Sequence, residues 1–426
     1  MNEAAEVLLW GRRIGVASRM DGVPYASFAY DSEFRDSGLE PSPIMMPVGT
    51  GVYSFPSLPD VSFHGLPGML SDSVPDKFGN AVIGAWLKSQ GRLPESLTPI
   101  ERLCYTGVRG MGALEYRPAL FAKDDKSEAV HVEALAELAG EVLKDRRSVV
   151  AELVPDMKRY SSILKVGSSA GGARAKALIG WNEATGEVRS GQVALPEGFG
   201  YWLVKFDGLA GNGDKEGDDK CGYGRVEYAY YLMARAAGIE MTECRLWNGC
   251  HFMTRRFDRL ADGGKLHSQT LAALAHFDFN DPTAYSYEQA FRVTRRVVND
   301  ARAYEQLFRR MAFNMLAWNC DDHVKNVSYL MDRGGEWRLA PAYDECYAYN
   351  PEGSWTSQHQ MSVNGKRIGI AEEDILACAS LADLRDQKAR AILDEVKDAV
   401  RNWSRFAVEA KVPDEIAGAI SCRLQQ

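Results

Sequence analysis

The chain has 426 residues, 46% of them hydrophobic and 25% charged, which is ordinary globular usage and excludes a disordered or fibrous protein. Fifty Lys plus Arg against 58 Asp plus Glu leave a formal net charge of −8, so the chain as a whole is not built to embrace a nucleic-acid backbone. Eight cysteines form no C-x-x-C pair, the N-terminus "MNEAAEVLLWGRRIG" lacks a basic region followed by a sustained apolar one, and no window is long enough to span a bilayer; reduced thiols, no membrane and a cytoplasmic location are expected.

From Val7 to about Leu120, short apolar runs are cut by Gly and Pro, as in "PSPIMMPVGTGVYSFPSLP", which predicts a small β-rich domain. Inside it, Asp76 precedes a helical pattern through Phe78, Val82, Ile83 and Trp86. The charged "FAKDDKSEAV" reads as a linker, with a boundary near residue 122, and a helix follows from Val132 to Leu143. Next come strand-like runs "KALIGWN", "YWLVKFDG", "ECRLW" and "HFMTRRFDR", interrupted by one amphipathic helix, "VEYAYYLMARAAGI". Beyond about residue 285 helical periodicity dominates, beginning with "YSYEQAFRVTRRVV" and "YEQLFRRMAFNMLAWN", the latter ending near Asn319. A sheet-rich half followed by a helical half, with no fixed repeat, predicts an α+β protein.

The chemistry gathers in "LAWNCDDHVKNVSYLM". Asp321 and Asn326 lie five residues apart, and "VSYLM", "DRGG" and "EWRLAP" then form a hairpin signature that returns Asp344 to their side. Two carboxylates and an amide oxygen at a loop mouth suit Mg²⁺, which takes few protein ligands and leaves its other positions to water and phosphates. The Asp-x-x-x-x-Asn spacing is the one protein kinases use, with Asp as base and Asn on metal, while a later Asp holds the bridging ion. Alone, such a motif is ordinary turn chemistry. Here a glycine-rich stretch, "VGSSAGGARAKALIG" at 166–180, and a strand lysine, Lys205, precede it in the order that triphosphate binding requires. Alternation sets Lys205 opposite Val204 and Phe206, and Glu227, opening the next helix, can pair with it.

Together, "SSAGGARAK", "LVKFDG", "RRFDR", "NCDDHVKN" and "APAYDE", with "FHGLPGMLSDSVPDKFG" before them, resemble the HipA family of bacterial toxin-type serine/threonine kinases from about residue 60 to 350. The resemblance implies a two-lobed protein-kinase-like fold with an N-terminal β-rich subdomain (1–122), a kinase N-lobe (123–257) and a mostly helical C-terminal lobe (258–426). It implies ATP and Mg²⁺ as cofactors, Asp321 as catalytic base with His323 beside it, Asn326 and Asp344 as metal ligands, and Lys205 as the phosphate-pairing lysine. Gly171, Gly172, Ser168 and Ser169 would line the phosphates, with Ser169 (alternatively Ser168) autophosphorylated, where added negative charge would oppose the triphosphate. Arg256, Phe257 and Tyr343 would border the nucleotide, while Arg255 departs from the family, which often has Glu there. The implied partners are a target protein such as an aminoacyl-tRNA synthetase and a HipB-like helix-turn-helix antitoxin, through which DNA would mainly be met.

Two other readings stand beside it: a small-molecule phosphotransferase on the same plan, and a non-enzymatic component of a repressor complex. A metal hydrolase on Asp321, Asp322 and His323 lacks any H-E-x-x-H-like partner motif, and Asp322 is expected to face solvent or cap the turn.

Overall fold

The chain opens with β1 (Glu3–Leu9) and β2 (Arg12–Arg19), an antiparallel hairpin whose turn residues Trp10 and Gly11 have φ of 51° and 79°. Two positive φ values in a two-residue loop match the right-handed twist of the flanking strands. With β3 (Ser27–Tyr30), β4 (Val52–Ser54) and β5 (Leu114–Arg117) they make a five-stranded sheet in the order β4-β3-β2-β1-β5. The computed structural model describes residues 3–75, 77–89, 91–119, 130–145, 174–209 and 221–425.

A second five-stranded sheet contains β6 (Lys176–Trp181), β7 (Val188–Ser190), β8 (Gly200–Lys205), β9 (Cys244–Trp247) and β10 (His251–Arg255), in the order β7-β6-β8-β10-β9. One face packs Ile179, Trp202, Val204 and Met253 against Val132 and Leu135 of the helix Val132–Asp145 and Phe78 and Val82 of the helix Lys77–Ser89. The helix Tyr223–Ala236 joins β8 to β9 and buries Tyr230 and Met233 in the main core. A third sheet pairs β11 (His267–Thr270) with β12 (Ser328–Met331) and β12 with β13 (Trp337–Leu339), all antiparallel.

The helical half is built on Ala301–Leu316, which presents Leu307, Phe308 and Met311 to the core shared with Ile392 and Val396 of the helix Asp386–Arg401. That first helix ends at Leu316, short of Asn319, because Trp318 takes a left-handed φ of 53°. The hairpin expected after Asn326 is present as β12 and β13, in the register Tyr329↔Leu339 to Met331↔Trp337. Its turn is closed by Asp332, whose Oδ1 accepts the backbone N–H groups of Gly334 and Glu336.

The N-terminal sheet unit is clamped onto the helical half. Gly68 donates its N–H to His276 Nε2 at 3.1 Å, and a Cβ there would lie 2.3 Å from the Ala273 carbonyl oxygen, which explains the glycine of "LPGM". Met69 O accepts from Gln269, Asp72 accepts from the N–H and hydroxyl of Thr270, and Glu40 O accepts from Trp337 Nε1. One buried apolar cluster runs through Val7, Phe28, Met69, Leu271, Phe308 and Trp403, so the seam is core rather than surface contact.

Candidate active site

Strand β8 ends at Lys205, between the buried Val204 and Phe206, and its neighbours in the register are Lys176 on β6 and Phe252 on β10. The Lys205 ammonium lies 2.5 Å from Glu227 Oε1 and also binds Asp344 Oδ1. The pairing of Lys205 with Glu227 expected from the sequence is therefore formed, and Asp344 joins it. Burial would lower the Lys205 ammonium, but Asp344 and then Glu227 drive its pKa upward. Burial raises Glu227 against the pull of Lys205, whereas partial desolvation of Asp344 is outweighed by Lys205, Lys176 and His323, which hold it below the usual carboxylate value. The result is an anchored, cationic lysine between two acids.

Asp344 has a φ of 57°, a conformation few non-glycine residues adopt without support. The support is a polar core beneath it: Asn319 Nδ2 donates to Asn314 Oδ1 at 2.9 Å, to Glu345 Oε2 at 3.2 Å and to the Asp344 carbonyl at 3.5 Å. Burial pushes the Glu345 carboxyl up to about 8.

The loop from Asp321 to Asn326 is a tight turn. His323 N–H donates to the Asp321 carbonyl at 2.9 Å, Asn326 N–H to the His323 carbonyl at 2.8 Å, and Asn326 Nδ2 to the Asp321 carbonyl at 2.9 Å. The last bond assigns the amide nitrogen to the loop and leaves Asn326 Oδ1 as the atom available to a cation. His323 faces the ring of Phe279 at 6.2 Å, and its Nδ1 is buried with no hydrogen-bond partner among the described residues. Tyr343 hydroxyl donates to the Lys325 carbonyl at 2.5 Å and contacts Ser328 Oγ, stapling the loop to β12, while its ring lies 5.5 Å from that of Phe257.

Asp322 does not face solvent. It is 1% exposed, with Oδ2 accepting from Tyr287 hydroxyl at 3.0 Å and Oδ1 from the Gln360 N–H at 2.8 Å. Its carboxylate is thus buried and both oxygens are taken by protein donors, which argues against a metal-hydrolase trio. Gln360, not singled out in the sequence, places Nε2 2.6 Å from Asp321 Oδ1. No local pattern announces it, because "SQHQMS" has neither helical nor strand periodicity.

In the connector after β10, Arg256 turns its side chain inward. Its side chain is 1% exposed and binds Asp258 through Nε at 2.9 Å and Nη2 at 2.8 Å, so the guanidinium is committed to a buried ion pair rather than to the cleft. Arg259 Nη1 and the Gly112 N–H complete the shell of Asp258 at 2.7 and 2.8 Å, tying the connector to the N-terminal unit. Phe257 packs on Leu266, Leu330 and Ala340. Ser168, Ser169, Gly171 and Gly172 lie outside the described residues.

The donor set fits a hard cation and a triphosphate. Asp344 keeps a side chain 32% exposed, Asn326 offers an amide oxygen, and Lys205 stands within bonding distance of Asp344. Among the described residues no group of three or more His, Cys, Asp or Glu side chains is placed to hold a metal.

A lysine strand paired to a helix glutamate, a helical half carrying an acidic loop, and a hairpin that returns a second acid define a kinase-like two-lobed fold. Residues 5–117 match the HipA N-terminal domain and residues 168–403 match the HipA-like C-terminal domain. The chain belongs to the HipA family. The HipA structure of the Shewanella oneidensis MR-1 toxin–antitoxin system, solved with HipB and operator DNA, is similar over 99% of this chain and 94% of its own, with a TM-score of 0.65 and 17% identity. The Helicobacter pylori proinflammatory kinase CtkA overlaps 53% of this chain and 92% of its own at a TM-score of 0.32 and 11% identity. A curated protein of Sinorhizobium fredii named "Putative kinase Y4dM" is 23% identical over 261 residues, 54% of this chain; the chain spans 59% of that relative's length.

Proposed function

We propose that the chain is an ATP- and Mg²⁺-dependent serine/threonine protein kinase that transfers the γ-phosphoryl group of ATP to a serine of a target protein. The observation that carries this reading is Lys205 held between Glu227 and Asp344, beside a loop whose Asp321 and Asn326 have the kinase spacing. In this scheme Asp321 accepts the proton of the attacking hydroxyl, Lys205 pairs with phosphate oxygens, and Asn326 and Asp344 hold Mg²⁺. The bound ion supplies neutralisation of charge on the transferring phosphoryl group. The chain divides into an N-terminal unit (1–122), an N-lobe (123–257) and a C-lobe (258–426).

The biological role that goes with this chemistry is a growth-inhibiting toxin, neutralised by a HipB-like antitoxin and reaching DNA mainly through it; an aminoacyl-tRNA synthetase is the first target to assay, and the cytoplasm is the compartment. The Shewanella oneidensis complex of HipA with HipB and operator DNA supports the partner, and the net charge of −8 agrees with DNA contact made chiefly by another chain. Ser169, with Ser168 as the alternative, is the autophosphorylation site, read by mass spectrometry after incubation with ATP. The test of the activity is phosphate transfer by wild type and Asp321→Asn: loss of a general base lowers the rate about 10²- to 10⁴-fold, and equal rates would remove the assignment.

A further inference from the structure

Gln360 is 4% exposed and carries no charge, and its Nε2 donates to Asp321 Oδ1 at 2.6 Å. Its backbone is fixed on both sides. The N–H donates to the buried Asp322 Oδ1 at 2.8 Å, and the carbonyl accepts from Arg367 Nη1. Asp322 is held in turn by Tyr287, whose hydroxyl also accepts from Asn314 Nδ2 at 2.9 Å.

We propose that Gln360 is a positioning residue for the base, aiming the Asp321 carboxylate at the acceptor hydroxyl, with Asp322 as the anchor that sets Gln360 in place. The inference rests on the kinase reading of Asp321 and deepens it. A carboxylate only accepts, so the amide must turn its NH₂ toward Asp321. The consequence is a Gln360 Oε1 that is buried with no partner among the described residues. An orphaned carbonyl is unfavourable, and an apolar side chain of similar volume would serve stability better. The glutamine therefore answers to the orientation of Asp321, not to the packing of the segment. It also explains why the residue after the base is a buried acid: Asp322 grips the backbone of the residue whose side chain grips Asp321. Rate in such a site depends on holding the base within a narrow range of orientations, since small misplacements are amplified in the transition state.

The test measures phosphate incorporated into the full-length chain itself, and ADP released, from Mg²⁺-ATP. Gln360→Leu and Gln360→Glu both remove the donor while keeping the volume. Each is expected to lower kcat at least 10-fold with KM for ATP within twofold of wild type, and Gln360→Leu to melt at or above the wild-type temperature. Gln360→His, which keeps an N–H donor, is expected to turn over faster than Gln360→Leu. The inference is overturned if Gln360→Leu and Gln360→Glu turn over within twofold of wild type, or if rate and melting temperature fall together in all three variants. A wild type without turnover is a different failure: it removes the kinase reading itself.

Discussion

Asp258 and Asp344 are both carboxylates set among basic side chains at the junction of the two lobes, and they are finished differently. Asp258 is 0% exposed and accepts from Arg256, Arg259 and the Gly112 N–H, so its oxygens are saturated and its pKa is held far down by the two guanidinium groups against its burial. Asp344 remains 32% exposed, with Lys205 on Oδ1. A carboxylate set among cations can take a further ligand only where acceptor capacity is left over, as at Asp344. The Arg256–Asp258–Arg259 centre holds the connector to the N-terminal unit, whereas the Lys205–Asp344–Glu227 centre keeps one carboxylate partly exposed.

Substitution separates the two. Asp258→Ala leaves two guanidinium groups buried without their acid and should destabilise the fold by about 3–5 kcal/mol, seen as a lowered urea midpoint. A midpoint unchanged from wild type would show that the centre is solvated in solution and would erase the contrast. Gly68→Ala probes the other end of the same seam. Its Cβ would meet Ala273 O and the His276 ring, so overpacking should lower stability by about 1–3 kcal/mol, measured by thermal melting.

His276 gives that seam a pH dependence. Burial lowers its pKa from the usual 6.5 to about 4, and Gly68 needs the neutral ring as an acceptor. Because the folded value lies below the unfolded one, its contribution is present above pH 6.5 and is lost as pH falls through 4, at about 1.4 kcal/mol per pH unit where the shift acts. His276→Gln should lose less stability than wild type between pH 6.5 and 4 in urea titrations. Parallel curves for the two proteins would place the pH dependence elsewhere.

Much of this was written locally in the chain. The Asp321-to-Asn326 spacing, the turn-forming "DRGG" and the alternation around Lys205 are short-range signals, and the hairpin, the strand lysine and its pairing with Glu227 followed from them. Asp322 and Gln360 were not legible, because what buries the one and aims the other lies 35 to 39 residues away along the chain, at Tyr287, Gln360 and Asp321. The Arg256–Asp258 pair was not legible for a related reason. In "RRFDR" the arginine and Asp258 are two apart and share one face of an extended segment, a spacing that suits an ion pair as well as a ligand contact.

If Asp344 is the open carboxylate of a nucleotide site, its loss must remove the Mg²⁺ dependence of ATP binding. Calorimetric titration of ATP into wild type and Asp344→Asn, each with Mg²⁺ and with EDTA, tests it most directly. Wild type should bind ATP more tightly with Mg²⁺ than without, and Asp344→Asn should lose that dependence while remaining folded. Absence of ATP binding by wild type, or an undiminished Mg²⁺ effect in Asp344→Asn, would contradict the account.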